Sequence, residues 1–360
     1  MEKSWQKGPG NPASSHHAGR AQRRVLEDAR ENAASLLGAF PDEVVFTSGA
    51  TEANNMALLG HTAATDCALI GSPIEHTSVL QVLRELAKSG HPLSLVSPNT
   101  EGIVPVQELI GAIPAEATAG LVTLQMANQE TGALQPVREL GERLAKSHPS
   151  LRLHTDATQA VGKIRVDFHH LLVHTLSLSA HKWGGPVGVG ALLVRRGWPL
   201  RPLSHGGGQQ DGRRPGTESS LLAAAFSVAL TEAVADLNAF QNRALTLRQT
   251  IHNTLKQNAV AHEINGSPTG LPHILNLSFP GIRADLLLMA LDLEQVAISA
   301  GSACSSGSIL PSIVLTSMGL SRDRVQSSIR ISLGHDTTLD IVDEAMIRLI
   351  RVVRRLGAVS

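Results

Sequence analysis

The stretch Ser177-Leu178-Ser179-Ala180-His181-Lys182-Trp183-Gly184-Gly185-Pro186 puts a histidine and a lysine directly after an apolar, strand-like run, Leu171 to Leu178, and directly before a glycine turn. A lysine at a strand end among small residues loses part of its hydration. Its amine then deprotonates more readily and can attack a carbonyl carbon. Schiff-base formation with the aldehyde of pyridoxal phosphate (PLP) is chemistry of this kind. The plainer reading is a solvated loop lysine, since most lysines lie at the surface.

Other segments of the chain carry compatible chemistry. Ser48-Gly49-Ala50-Thr51-Glu52 falls at a strand-to-helix junction, where free backbone N–H groups and the positive helix end favour a phosphate and Thr51 adds a hydroxyl; simple N-capping by Thr51 is the alternative. Neither Gly-x-Gly-x-x-Gly nor a P-loop ending occurs. In His154-Thr155-Asp156-Ala157-Thr158-Gln159, Asp156 ends an apolar run and could keep a pyridinium nitrogen protonated, with Gln159 reaching the ring's phenolic oxygen; a helix-capping Asp would look the same. His76, in Ile74-Glu75-His76, could stack on a flat ring and move protons, or be one loop histidine among 16 in the chain. Cys304 sits in the Gly/Ser-rich run Ser299 to Ser308, as a travelling nucleophile or a neutral surface thiol, whereas Cys67 precedes a strand as a buried thiol does. Arg330, in Ser327-Ser328-Ile329-Arg330-Ile331-Ser332, alternates with apolar residues and needs an anionic partner: a substrate carboxylate or a structural acid. Arg214-Pro215-Gly216-Thr217 is a basic, hydroxyl-bearing turn that could also meet a phosphate.

Composition narrows the classes. With 31 basic and 31 acidic residues among 360, bulk electrostatics drives no binding to nucleic acid or to an anionic membrane. Two cysteines make no disulfide framework, so a reducing, cytoplasmic setting is expected, and without clustered histidine ligands no metal site is expected. No apolar run has the length to span a bilayer.

These residues need strands to carry them and helices between the strands. Val25, Leu26, Ala29, Ala33 and Leu36 recur at helical spacing before Gly38. Short apolar runs at Val44–Phe46, Ala68–Ile70, Leu93–Val96, Leu121–Leu124, Leu151–Leu153, Leu176–Leu178 and Ala191–Val194 read as strands. Helical patterns over Glu52–Leu59, Val79–Ala87 and Val137–Ala145 separate several of them, which predicts an α/β fold with a mainly parallel sheet covered on both faces. Beyond the helical run Leu221–Leu237 the texture changes, with a polar-faced helix over Asn238–Leu255, strands expected at Ile274–Phe279 and Gln295–Ser299, and a last helix at Ile341–Leu356.

Taken in order, Gly10-Asn11-Pro12, Thr47 to Glu52, Glu75-His76, Glu130-Thr131-Gly132, Asp156 to Gln159, Ser179 to Lys182, His205 to Gln209, Arg214 to Thr217, Gly301 to Cys304 and Ser328-Ile329-Arg330 resemble the cysteine desulfurases, the NifS/IscS-like branch of the class V aminotransferase group of PLP enzymes. The resemblance implies a fold-type-I architecture: a truncated N-terminal arm over 1–13, a large PLP-binding domain over 14–237, and a smaller α+β domain over 238–360 that carries the Cys304 loop. It implies Lys182 as the residue that holds PLP covalently. Ala50, Thr51, Ser179 and His181 would bind the phosphate, with Thr217 reaching the site of a second subunit in a homodimer. Asp156, Gln129 and Gln159 would contact the ring and His76 would stack on it. Arg330 and Asn11 would bind L-cysteine, and Cys304 would take its sulfur as a persulfide, leaving alanine. A sulfur-acceptor protein, an iron–sulfur scaffold or a thiolation protein, is the implied partner. The long segment after Cys304 resembles that of the IscS/NifS group rather than the SufS group. Three departures stand out: Met1 to Pro9 do not match the family's opening strand, Gln129 stands where an asparagine is common, and the chain ends at Ser360 without the longer IscS tail. A selenocysteine or cystine lyase of the same fold and a non-catalytic truncated paralogue are the competing expectations.

Overall fold

The computed structural model describes residues 10–62, 67–301 and 311–358. They fall into two compact units: those within Met1–Val96, Val106–Met126 and Pro136–Leu237, and those within Ser97–Pro105, Ala127–Gln135 and Asn238–Ser360.

The first unit is built on strands β1 (Val44–Thr47), β2 (Ala68–Gly71), β3 (Leu93–Leu95), β4 (Gly120–Thr123), β5 (Leu151–Asp156), β6 (Thr175–Ser179) and β7 (Gly190–Val194). They form one sheet in the order β1-β7-β6-β5-β4-β2-β3. Neighbours from β6 to β3 run parallel, and β7 is antiparallel to both β6 and β1. Every residue of β1, β2, β4, β6 and β7 is buried, which is why β1, β2 and β7 read as near-continuous apolar runs; β6, Thr-Leu-Ser-Leu-Ser, alternates although it is buried throughout. Helices α1 (His17–Leu36), α2 (Ala50–Thr62), α3 (Thr77–Lys88), α4 (Val106–Gly111), α5 (Val137–Ser147) and α6 (Ser220–Ala235) belong to this unit. Helix α1 buries Val25, Leu26, Ala29 and Ala33 and packs on α6. Just past its end Gly38 has φ +63°, and a Cβ there would lie 2.5 Å from the Asp167 carboxylate, so only glycine fits. The edge strand β1 is covered by the Gln210 side chain, which accepts from the Phe46 N–H at 2.6 Å and donates to the Phe46 carbonyl at 2.8 Å.

In the second unit, β8 (Glu263–Asn265), β9 (Ile274–Ser278) and β10 (Ser328–Ser332) form an antiparallel sheet in the order β10-β9-β8. Helices α7 (Leu237–Gln257), α8 (Ala284–Leu293) and α11 (Leu339–Gly357) supply Leu247, Leu287 and Leu349 to a core with Leu277, Phe279 and Ile329; α9 (Ile313–Ser317) and α10 (Arg322–Gln326) are short turns of helix before β10.

Two strand expectations are corrected. Gln295–Ser299 forms no strand: the Gln295 and Val296 N–H groups bond back to the Asp292 and Leu291 carbonyls to close α8, Gln295 has φ +61°, and only Ser299 bridges to Arg330. The first half of Leu171–Leu178 is a turn, with Leu172 at φ +59° and the Asp167 carboxylate accepting from the His170 N–H at 2.9 Å; β6 begins at Thr175. The short, exposed strand β8 carried too few apolar residues to register as a strand in the sequence.

Candidate active site

The strand register sets the candidate residues along one edge of the large sheet. Thr47, the end of β1, and Ser179, the end of β6, both pair with Gly190. Asp156, the end of β5, pairs with Ser177, and His154 pairs with Thr123. Ser48 to Thr51, Glu75-His76, Asp156 to Gln159 and Ser179 to Lys182 therefore all leave the carboxyl ends of their strands, the edge where open α/β sheets bind ligands.

Asp156 is 6% exposed and is held by neutral donors: the Thr158 N–H at 2.9 Å on Oδ1 and the Asn54 amide at 2.8 Å on Oδ2. No lysine or arginine among the described residues forms an ion pair with it. The same Asn54 amide donates to Ser78 Oγ at 2.8 Å, and Ser78 meets His76 Nδ1 through its hydroxyl at 2.7 Å and its N–H at 3.2 Å. A backbone N–H can only donate, so Nδ1 accepts and the neutral His76 ring carries its hydrogen on Nε2. The Asn54 carbonyl oxygen accepts from the Ser177 hydroxyl and faces His154 Nε2 at 3.0 Å, while His154 Nδ1 meets the Thr175 hydroxyl at 2.9 Å. Burial pushes the His154 imidazole down to about 4 against the pull of Asp156. Glu75 is pushed up to about 8 by burial and by the charge of Asp156; its Oε1 accepts from the Gln125 N–H at 2.8 Å and its buried Oε2 has no partner among the described residues.

The phosphate-type segment is braced on both sides. Glu52 accepts from the Ser48 N–H at 2.6 Å and pairs with Arg214 at 2.9 Å, so the guanidinium of the Arg214 to Thr217 turn is already matched by a carboxylate; Thr217 itself is exposed. Ser179 Oγ lies 2.9 Å from His181 Nδ1, and His181 is held below the ordinary imidazole range by partial burial and by Lys182. A Cβ on Gly190 would approach Gly49 Cα to 2.7 Å, so the loop before α2 lies flat against β7. Lys182 stands in the short turn Ala180–Trp183 and is exposed; burial among small residues does not strip it of water as its sequence context suggests, because the turn lifts it off the strand end.

Asn11 uses its side-chain oxygen to accept from the Ala13 N–H at 2.9 Å. Gln159 is half-buried after Asp156. In the second unit, Arg330 Nη1 donates to the Gln129 carbonyl at 2.9 Å, while its buried Nε has no partner among the described residues. Burial lowers the Arg330 guanidinium and raises the neighbouring Glu130 carboxyl, and Ser312 donates to Glu130 at 2.5 Å. Cys304 lies outside the described residues.

Residues 1–344 match the aminotransferase class-V family. The chain is 37% identical over 355 residues to the cysteine desulfurase IscS of Dictyoglomus turgidum, covering 98% of this chain and 89% of that one. The chain belongs to the cysteine desulfurases. A solved NifS-like protein superposes with a TM-score of 0.90 at 31% identity over 99% of this chain and 96% of that one. A structure of SspA in complex with cysteine gives 0.79 at 31% over 92% and 95%. The fold is thus the fold type I of the PLP enzymes, and the family is one of PLP enzymes.

The residues at the carboxyl edge fit that cofactor. A buried carboxylate held only by neutral donors suits a protonated pyridine nitrogen, and the buried Thr158 hydroxyl beside it has no partner among the described residues. In this desulfurase the residues that sequence reasoning passed over are Asn54, His154, Ser78 and Ser177. Nothing in their local pattern marks them, since each reads as an ordinary polar residue in a helix or strand. A polar residue between apolar neighbours on a buried strand, as Ser177 is between Leu176 and Leu178, was the one available signal.

Proposed function

We propose that this chain is a PLP-dependent L-cysteine desulfurase acting as a homodimer in a reducing, cytoplasmic compartment. The observation that carries the reading is the uncompensated, buried Asp156 carboxylate at the same sheet edge as the Ser179 to Lys182 turn. PLP, when bound, supplies a sink for the electrons released as the substrate's Cα–H bond breaks. Lys182 would anchor it, and its amine would move the Cα proton of the substrate. Asp156 would hold the ring nitrogen protonated, and His76, hydrogen on Nε2, would lie against the ring. Ala50, Thr51, Ser179 and His181 hold the phosphate, and the exposed Thr217 is offered to the phosphate of a second subunit. Gln129 and Gln159 contribute ring contacts; Arg330 receives the substrate carboxylate, with Asn11 beside the substrate. The Cys304 thiolate would attack the substrate sulfur, so an S–S bond forms as the C–S bond breaks, and the electron pair of that bond passes to the substrate carbon, which takes up a proton. Alanine leaves, and a sulfur-acceptor protein discharges the persulfide.

The test is the intact mass of the PLP-loaded protein after brief exposure to L-cysteine without reductant, beside Cys304→Ala. One added sulfur atom on the wild type alone is expected. Release of sulfide with no added sulfur, undiminished in Cys304→Ala, would replace the reading with a direct lyase.

A further inference from the structure

Asn54 stands where two rows of hydrogen bonds meet, and it is 0% exposed. Its carbonyl oxygen accepts from Ser177 Oγ and faces His154 Nε2 at 3.0 Å. The Ser177 hydroxyl is a donor in this contact. His154 must donate as well, because an imidazole lone pair turned toward a carbonyl oxygen repels it. The Thr175 hydroxyl, 2.9 Å from His154 Nδ1, supplies the hydrogen that the Nε2–H tautomer needs on its other nitrogen. With the oxygen of the amide thus held, its NH2 group can point only the other way, at Asp156 Oδ2 and Ser78 Oγ, both 2.8 Å distant. The reversed amide would set its carbonyl oxygen against the Asp156 carboxylate, two acceptors in a buried contact with no hydrogen between them, and that clash fixes the orientation.

We infer that Asn54 is a positioning residue for the proposed reaction, its amide oriented by Ser177 and His154 so that it holds the Asp156 carboxylate, and through Ser78 the His76 ring, in place for the cofactor. His154 belongs to this device: it donates from Nε2 without setting a cation beside Asp156, so the carboxylate stays unpaired by any cation of this row and open to the cofactor nitrogen. The inference rests on the reading that Asp156 and His76 meet PLP. Its orienting half does not, because the amide is held by protein groups alone.

The test uses the full chain with and without PLP. Asn54→Ala is expected to raise the PLP dissociation constant about ten- to a hundredfold, the loss that follows removal of a hydrogen bond to a buried charge. It is also expected to move the pH at which the absorbance of bound PLP changes. In an Asp156→Asn background the same substitution should cost clearly less affinity, about several-fold at most, since only the contact through Ser78 to His76 is left to lose. His154→Gln, which keeps a side-chain N–H donor, should retain more affinity than His154→Leu. An Asn54→Ala variant with a lowered melting temperature but unchanged PLP affinity and absorbance profile would show a packing role only and overturn the inference. Equal effects in the two backgrounds would overturn it too. If Asn54→Ala does not fold, Ser177→Ala releases the amide oxygen while leaving Asn54 in place and should raise the dissociation constant several-fold; no change would count against the inference. In the protein without PLP, the ring nitrogen resonances should place the His154 hydrogen on Nε2, and a hydrogen on Nδ1 would overturn the orienting argument. Wild-type protein that binds no PLP would instead defeat the functional reading, and the His154 tautomer would then decide the orientation of Asn54 by itself.

Discussion

The two edges of the large sheet hold histidines of similarly depressed basicity in opposite surroundings. At the carboxyl edge, His154 is pushed down to about 4 by burial while Asp156 pulls the other way, and its hydrogen-bonded neighbours form a closed row. At the amino edge, His61 and His174 are also pushed down to about 4, by burial and then by the positive charge of Arg152. There Trp198 is the common surface: Arg152 stacks over it at 4.0 Å, and the His61 and His174 rings lie 5.2 and 5.5 Å away. Buried nitrogens of His61, Arg152 and Arg195 have no hydrogen-bond partner among the described residues. The carboxyl edge thus holds a carboxylate with neutral donors and leaves Glu75 Oε2 and the Thr158 hydroxyl open among the described residues, while the amino edge stacks one guanidinium and two imidazole rings on an indole and leaves nitrogens unmatched. The first arrangement is suited to binding and chemistry, the second to holding strand ends and β7 together through ring contacts.

The largest separation between the edges is expected from Asp156→Asn against Trp198→Ala. Loss of the carboxylate should reduce kcat by about a hundred- to a thousandfold, the scale for removing a preorganised electrostatic partner. Trp198→Ala should leave kcat within about twofold and lower stability by about 1–3 kcal/mol, because its ring is only part-buried. Steady-state alanine production and thermal melts on both variants check the pair. A catalytic collapse in Trp198→Ala with its stability intact would erase the distinction.

A middle-sized effect should come from Glu75. Its folded-state value, about 8, lies above its ordinary value of 4.5, so the folded protein binds the extra proton between those limits. That contribution to stability is complete below pH 4.5 and is lost as pH rises through 8. Glu75→Gln keeps an acceptor for the Gln125 N–H and carries no charge. Its melting temperature should therefore match the wild type near pH 5 and exceed it by a few degrees, about 2–5 °C, near pH 9. Parallel melting curves across that range would show that Glu75 is ionised in the folded protein after all.

How legible all this was in the sequence depended on whether a function rests on one residue or on a meeting of several. Strands such as β1, β2 and β7 announced themselves because they are buried along their whole length, and near-continuous apolar runs follow from that. Asp156, His76 and Lys182 were visible as polar residues closing such runs. Asn54 was not, because it lies within α2 beside Asn55, and only the fold shows that one amide faces Asp156 while its neighbour bonds back to the Thr51 carbonyl. The exposure of Lys182 was hidden for a related reason: the turn that carries it begins one residue after the strand, a boundary that composition does not mark. Gln295 to Ser299 misled because β-branched residues also occur where a helix closes.

The smallest effect tests the amino edge alone. His61 and His174, folded near 4 and ordinarily near 6.5, bind fewer protons folded than unfolded in that interval. The stability they confer is present above pH 6.5 and is lost as pH falls toward 4. Arg152 deepens both shifts by repulsion, so Arg152→Gln should raise both imidazoles and flatten the acid limb. Its loss of melting temperature between pH 7 and pH 5 should be smaller than the wild type's by about 1–2 °C, even though the lost stacking on Trp198 lowers the whole curve. His154 is depressed by burial and not by Arg152, so its own titration should stay where it is in that variant. An unchanged acid limb in Arg152→Gln would mean that burial alone depresses the amino-edge histidines, and the two edges would then differ in hydrogen bonding but not in electrostatics.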